Sequence, residues 1–152
     1  MRLWLRLMAC LAMLCSIPAA HAEPLEVMLG GERFYLEVVD DPASRRQGLM
    51  GREFLAPDEG MLFDFPSSTT PAIWMRNMLI SLDLLFVDEQ SRLVKVFTDV
   101  PPCDAPPCDI YRVERPIRFV IEVAAGTADR LGLESGMVLN LGRITRQPAP
   151  YQ

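Results

Sequence analysis

The chain has 152 residues, half of them hydrophobic, with 15 basic against 20 acidic side chains and a net charge of −5. That length fits one domain with its own core. The acidic balance lacks the clustered Lys and Arg that nucleic acid or an anionic membrane surface asks for, so neither is expected as a partner.

Residues 1–22 read as a secretory signal peptide. Arg2 and Arg6 form the positive region, Leu7 to Ile17 the apolar region, and Ala20-His21-Ala22 the small-residue cleavage site. Cleavage after Ala22 and a periplasmic or secreted protein are expected. The apolar run falls short of the roughly 20 residues a spanning helix needs, and no later run is long enough to cross a bilayer. Lipidation at Cys15 is disfavoured by the bulky Leu14 before it. Loss of this segment lowers the basic count from 15 to 13 against 20 acids and moves the net charge from −5 to −7. It also removes His21, the only histidine, along with Cys10 and Cys15. A mature chain without histidine has no Ser-His-Asp triad, no Cys-His pair and no histidine-ligated zinc. No cofactor and no metal site are expected.

Alternation with a period of two dominates from Leu25 onward. "LEVML" places Leu25, Val27 and Leu29 on one face, and "RFYLEVV" does the same with Phe34, Leu36 and Val38. Gly30-Gly31 between them predicts a tight hairpin turn. Asp41-Pro42 predicts a capped helix start over "PASRRQGLMG". "GMLFDF" aligns Met61, Phe63 and Phe65, and "LDLLFVD" aligns Leu82, Leu84 and Phe86. "RLVKVFTDV" aligns Val94, Val96 and Val100, and "PIRFVIEV" aligns Ile117, Phe119, Ile121 and Val123. Thr127 is the expected cap of a second helix, "ADRLGL", ending near Gly132. "MVLNL" supplies a last short strand, and residues 144–152 read as a loose tail. About eight strands and two short helices predict a mainly β fold, a single compact β-sandwich or barrel-like domain over residues 23–143. The strands look too closely spaced for βαβ crossovers.

Four segments together resemble the DUF192 family, also called UPF0127. They are "RRQGLMGREFLAPDEGMLFDFP", "WMRNMLISLDLLFVD", "PPCDAPPCDIY" and "FVIEVAAGTADRLGLESG", and they run from about Arg45 to Gly136. The resemblance implies one mostly β domain, often exported, with no established biochemical activity. The family's Arg-x-x-Gly-Leu-Met-x-Arg falls on Arg45, Gly48, Leu49, Met50 and Arg52. Its Trp-Met-Lys-Asn-Thr falls on Trp74 to Met78, its Leu-Asp on Leu82 and Asp83, and its cysteine pair on Cys103 and Cys108. Met78 replaces the usual threonine, Ser81 a usual proline, and Met137 the usual acid.

The candidate binding residues are Trp74, Arg76, Asn77, Arg45, Arg52 and Asp83. On an extended segment Trp74 and Arg76 share a face, which suits a planar, anionic or hydroxylated ligand through ring stacking and a guanidinium fork. The competing structural reading stacks Arg76 on Trp74 as a cation–π pair and locks Asp83 against an arginine. "PPCDAPPCDIY" reads as a rigid loop stapled by a Cys103–Cys108 disulfide, stabilising by roughly 2 kcal/mol on the chain-entropy estimate. Its C-x4-C spacing argues against a redox motif. Met50, Met61, Met75, Met78 and Met137 are soft donors that would suit Cu(I), although adaptable core filling explains them more simply. The function expected is a non-catalytic binding module of the cell envelope, taking a small anionic or glycan ligand or an envelope protein. The alternatives are an enzyme using Asp83 with arginines, or a Cu(I) site on the methionines.

Overall fold

A computed structural model describes residues 23–142 and Ile144. The expected signal peptide, and the tail beyond Ile144, lie outside the described residues. The fold is mainly β with two short helices. Six strands form one sheet, β1 Leu25–Leu29, β2 Glu32–Val39, β3 Glu59–Asp64, β4 Leu82–Val87, β5 Leu93–Val100 and β6 Phe119–Ala124, in the order β1-β2-β3-β6-β4-β5. The sheet is open and does not close into a barrel.

Strands β1 and β2 follow most of the alternation read from the sequence, with Val38 exposed. The set expected in β5 divides: Val96 packs against one core and Val94 and Val100 against the other, beside register shifts in the β4–β5 pairing. In β1, Val27 and Leu29 are buried, and in β2, Phe34 and Leu36 are buried. The two strands form a hairpin through Gly30 and Gly31, both at positive φ. The central strands behave differently. All six residues of β4 are buried, as are five of six in both β3 and β6. A strand covered on both faces reads as a continuous apolar run, as "LDLLFV" does.

Two cores result. One face packs Phe34, Leu36, Leu62, Leu85, Ile121 and Val123 under Ala128 and Leu133. The other packs Met61, Phe63, Leu84, Phe86 and Val120 under Leu49, Ile73, Met75 and Ile117. The second face is covered largely by irregular chain. The extended segment that carries Trp74 and Arg76 makes isolated bridges, Ile73 to Tyr111 and Arg76 to Cys103, and no regular strand. "MVLNL" likewise makes bridges through Val138 and Asn140 and no strand. Ile144 packs partly buried against the first core.

One crossover exists despite the close spacing. β2 and β3 pair in parallel, joined by residues 40–58, which carry α1 Pro42–Gln47. Asp41 caps α1, its Oδ1 accepting from the Ala43 N–H at 2.8 Å and the Ser44 N–H at 3.1 Å. The helix ends at Gly48, whose φ of 47° lets the chain turn down onto Phe63. A Cβ at Gly48 would stand 3.1 Å from the Phe63 ring.

The cap of α2 Thr127–Leu131 differs from expectation. Its N-cap is Gly126 and makes no side-chain cap bond. The acceptor comes instead from Asp83 on β4. Asp83 Oδ1 accepts from Asp99 N–H at 2.8 Å and Gly126 N–H at 3.2 Å, and Oδ2 from Ala128 N–H at 2.7 Å. Among the described residues no arginine pairs with it. A fully buried carboxylate with three backbone donors ties β4, β5 and α2 together. Removing it leaves buried N–H groups without acceptors, each costing about 1–3 kcal/mol. Asp83→Ala is therefore expected to lower the unfolding free energy by about 3 kcal/mol, read as a shifted urea midpoint at unchanged slope. A loss below about 1 kcal/mol would remove Asp83 from this role.

Candidate functional site

The face of the sheet covered by irregular chain is incompletely filled. A cavity of about 450 Å³ lies between the face of β3 and β6, the α1 segment and residues 69–78. Leu49, Phe63, Phe65, Ile73 and Met78 give it apolar walls, and Trp74, 44% exposed, stands among them. Phe63 and Phe65 lie stacked with ring centres 6.4 Å apart.

One polar residue in the depth was not singled out from the sequence. Glu122, in β6, lines the cavity and is only 5% exposed. It lies opposite Met61 on β3 and Leu84 on β4, so it faces the second core. Among the described residues its carboxyl has no hydrogen-bond or ion-pair partner. Burial alone pushes it up to about 8, which keeps it protonated at neutral pH. Period two in "PIRFVIEV" had put Glu122 opposite the apolar set, on a face that would ordinarily be solvated. The available signal was one acid within an otherwise apolar run, flanked by Val120 on its own face.

Two arginines of α1 line the cavity. Arg45 is committed to structure. Its guanidinium donates to the Asp40 carbonyl and to the Asp64 carbonyl at 2.9 Å, and lies 5.4 Å from the Phe65 ring centre. Arg46 is exposed, and its guanidinium makes no hydrogen bond or ion pair among the described residues.

The other candidates are distributed around this centre. Arg76 lies 5.8 Å from the Trp74 ring centre and outside the cavity lining. Asn77, at φ 60°, accepts the Gly51 N–H at 3.1 Å and places its Nδ2 3.9 Å from Met50 Sδ, joining residues 71–78 to the turn after α1. Arg52 forms an ion pair with Glu37 at 2.6 Å and lines a separate concavity with Tyr35 and Val38. Asp83 faces the opposite side of the sheet with α2, beyond reach of the cavity. The buried Arg–Asp clamp of this domain is instead Arg118 with Asp64, at 2.6 Å, beside the strand end that Arg45 holds.

The Cys103–Cys108 disulfide is present, and its loop braces the Trp74 segment. Cys103 N–H donates to the Met75 carbonyl at 3.0 Å, while Ile73 and Tyr111 exchange two backbone bonds at 2.9 and 2.8 Å. The methionines separate. Met50 and Met78 line the cavity, Met75 is 2% exposed in the core, and Met137 lies beside β5 with its carbonyl on Leu93 N–H.

The DUF192 family, described as "Uncharacterized ACR", matches over residues 25–141. No curated protein matches the chain. Two crystal structures are similar. One is a protein of Sinorhizobium meliloti named as a candidate transcription regulator, 33% identical, with a TM-score of 0.68 over 78% of this chain and 92% of that one. The other is a protein of unknown function from Novosphingobium aromaticivorans, 30% identical, with a TM-score of 0.69 over 77% and 83% of the two chains.

The buried acid has a consequence for stability. Between the ordinary glutamate value near 4.5 and about 8, the folded state holds a proton on Glu122 that the unfolded chain has lost. Stability attached to this group is therefore complete below about 4.5, declines as pH rises, and levels off above 8. Glu122→Gln removes that decline. The variant is expected to match the wild type near pH 4 and to exceed it by a few kcal/mol at pH 9. Urea midpoints of both proteins across this range provide the measurement, and parallel curves would show that the carboxyl is solvated or paired.

Proposed function

The chain belongs to the DUF192 family, and from that premise we propose that it is a non-catalytic small-molecule-binding module of the cell envelope, with its site in the cavity over Glu122. The observation that carries this reading is the unpartnered carboxyl at the floor of a cavity of about 450 Å³. Small-molecule sites are concave, mostly apolar, and oriented by a few polar groups, typically in about 300–1,000 Å³. An apolar lining supplies affinity here, and the carboxyl supplies orientation. A packed core has no use for an unsatisfied acid, whose burial costs stability unless a partner arrives.

Binding fits better than catalysis. The charged groups lining the cavity are Glu122, Arg45 and Arg46. Carboxylate hydrolysis asks for a second acid as partner, and Asp83 is taken up by backbone donors behind the sheet. Trp74, Arg76 and Asn77 then act as the wall and the brace of the site. Export is supported by the signal-like residues 1–22 and by the disulfide, which persists in oxidising compartments. Nucleic acid suits this acidic chain poorly, whatever the Sinorhizobium protein's name suggests for that protein.

A thermal-shift screen of the purified protein tests the reading, using sugars, nucleotides, organic acids, amines, short peptides and Cu(I). A ligand present at about 100 times its Kd should raise Tm by several degrees. The rise is expected to shrink or vanish in Trp74→Ala and in Glu122→Gln. Shifts that persist unchanged in both variants would place the site elsewhere, and a blank screen would leave the cavity without a ligand and the proposal without support. Intact mass of the exported protein should begin at Glu23; an uncleaved chain retained in the cytoplasm would remove the envelope from the proposal.

A further inference from the structure

We propose that the cavity takes a small zwitterion whose ammonium and carboxylate are held apart by an apolar spacer, the ammonium meeting Glu122 at the floor and the carboxylate meeting Arg46 at the mouth. This rests on the reading of the cavity as a ligand site.

The argument starts from what each end lacks. Glu122 is 5% exposed and has no partner among the described residues, so the floor is missing a donor or a cation. Arg46 is exposed and likewise without a partner, so the mouth is missing an anion. Arg45 cannot serve that end freely, because its guanidinium is already held by the Asp40 and Asp64 carbonyls. The two groups also stand at different depths of the one cavity, Glu122 buried in the central strand β6 and Arg46 exposed on α1.

The walls between the two ends favour the same class. Phe63, Phe65 and Trp74 line the cavity and offer apolar surface to a spacer between the two ends. A simple amine would leave Arg46 unused, and a simple acid would set its carboxylate against Glu122 or leave the floor empty. An α-amino acid carries both charged groups on a single carbon, with no apolar spacer to lie along these walls. A linear ω-amino acid or a short peptide can.

Proton balance follows from the same geometry. The free protein holds Glu122 as the neutral acid at pH 7. On binding, the carboxyl proton leaves to solvent and the carboxylate pairs with the ligand ammonium, so one proton is released per ligand bound.

Isothermal titration at pH 7, in two buffers of different ionisation enthalpy and without primary amines, counts that proton. The probes are 6-aminohexanoate and trialanine, which separate the ω-amino-acid and peptide sources, with hexylamine and hexanoate as single-charge controls. At least one zwitterion should bind tenfold or more tighter than both controls, with about one proton released. Arg46→Ala should reduce its affinity to that of hexylamine, and Glu122→Gln to that of hexanoate. Both variants should keep a wild-type or higher Tm, so lost binding would not reflect lost folding. If hexanoate binds best, without proton release and more weakly above pH 8, Glu122 is a neutral donor to an anion and the zwitterion is overturned. Equal affinity for all four probes overturns it too. If none of the four binds while another compound raises Tm through the cavity, the zwitterion fails and the ligand site stands. If no compound binds in the cavity, both fail together.

Discussion

The central strands β3, β6 and β4 bury side chains on both faces, while the helices that could cover them have only six and five residues. That shortage governs the rest of the structure. Covering a sheet with irregular chain is demanding, because each buried backbone N–H and C=O still needs a partner. The chain meets the demand in two ways. Isolated bridges pin residues 73 and 76 to the disulfide-bearing loop, and a carboxylate inside the sheet supplies the acceptors that helix α2 lacks.

The two faces solve the problem unequally. Over the first face, Asp83 anchors α2 directly, and Ala128 and Leu133 close down on the strands. Over the second, the cover is a set of loops braced against one another. Gly51 is bonded to Asn77, Cys103 to Met75, and Tyr111 to Ile73. Loops joined at their edges leave space beneath them, and the cavity above Glu122 is that space. Trp74 to Asn77 and the cysteine pair belong to this cover, and Trp74 stands in the cavity wall. Its deepest polar group is elsewhere in the chain.

Local patterns were legible where a strand or helix carries its own instructions. The β1–β2 hairpin follows from alternating apolar residues around Gly30-Gly31, and α1 from Asp41 before Pro42. Residues 71–78 carry a strand-like pattern without forming a strand. Their alternation of buried and exposed side chains is real, with Ile73 and Met75 buried and Trp74 exposed, but among the described residues no strand lies alongside to complete a ladder. The parallel crossover between β2 and β3 was hidden because most of residues 40–58 is turn and coil, with a single short helix to mark it.

Two acids show where local information stops. "LDLLFV" and "FVIEVA" each place one carboxyl inside an apolar strand, and the strands are neighbours in the sheet. By itself the sequence determined that both segments are strands, that the domain is mainly β, and that Cys103 and Cys108 are close enough to be joined. It could not rank the acids. Asp83 faces the side where three backbone N–H groups converge, and it became a structural anchor. Glu122, one register position away on the next strand, faces the side covered by loops and has no partner among the described residues. Only the tertiary structure decided between them, because the fate of a buried charge depends on which donors the rest of the chain brings to it.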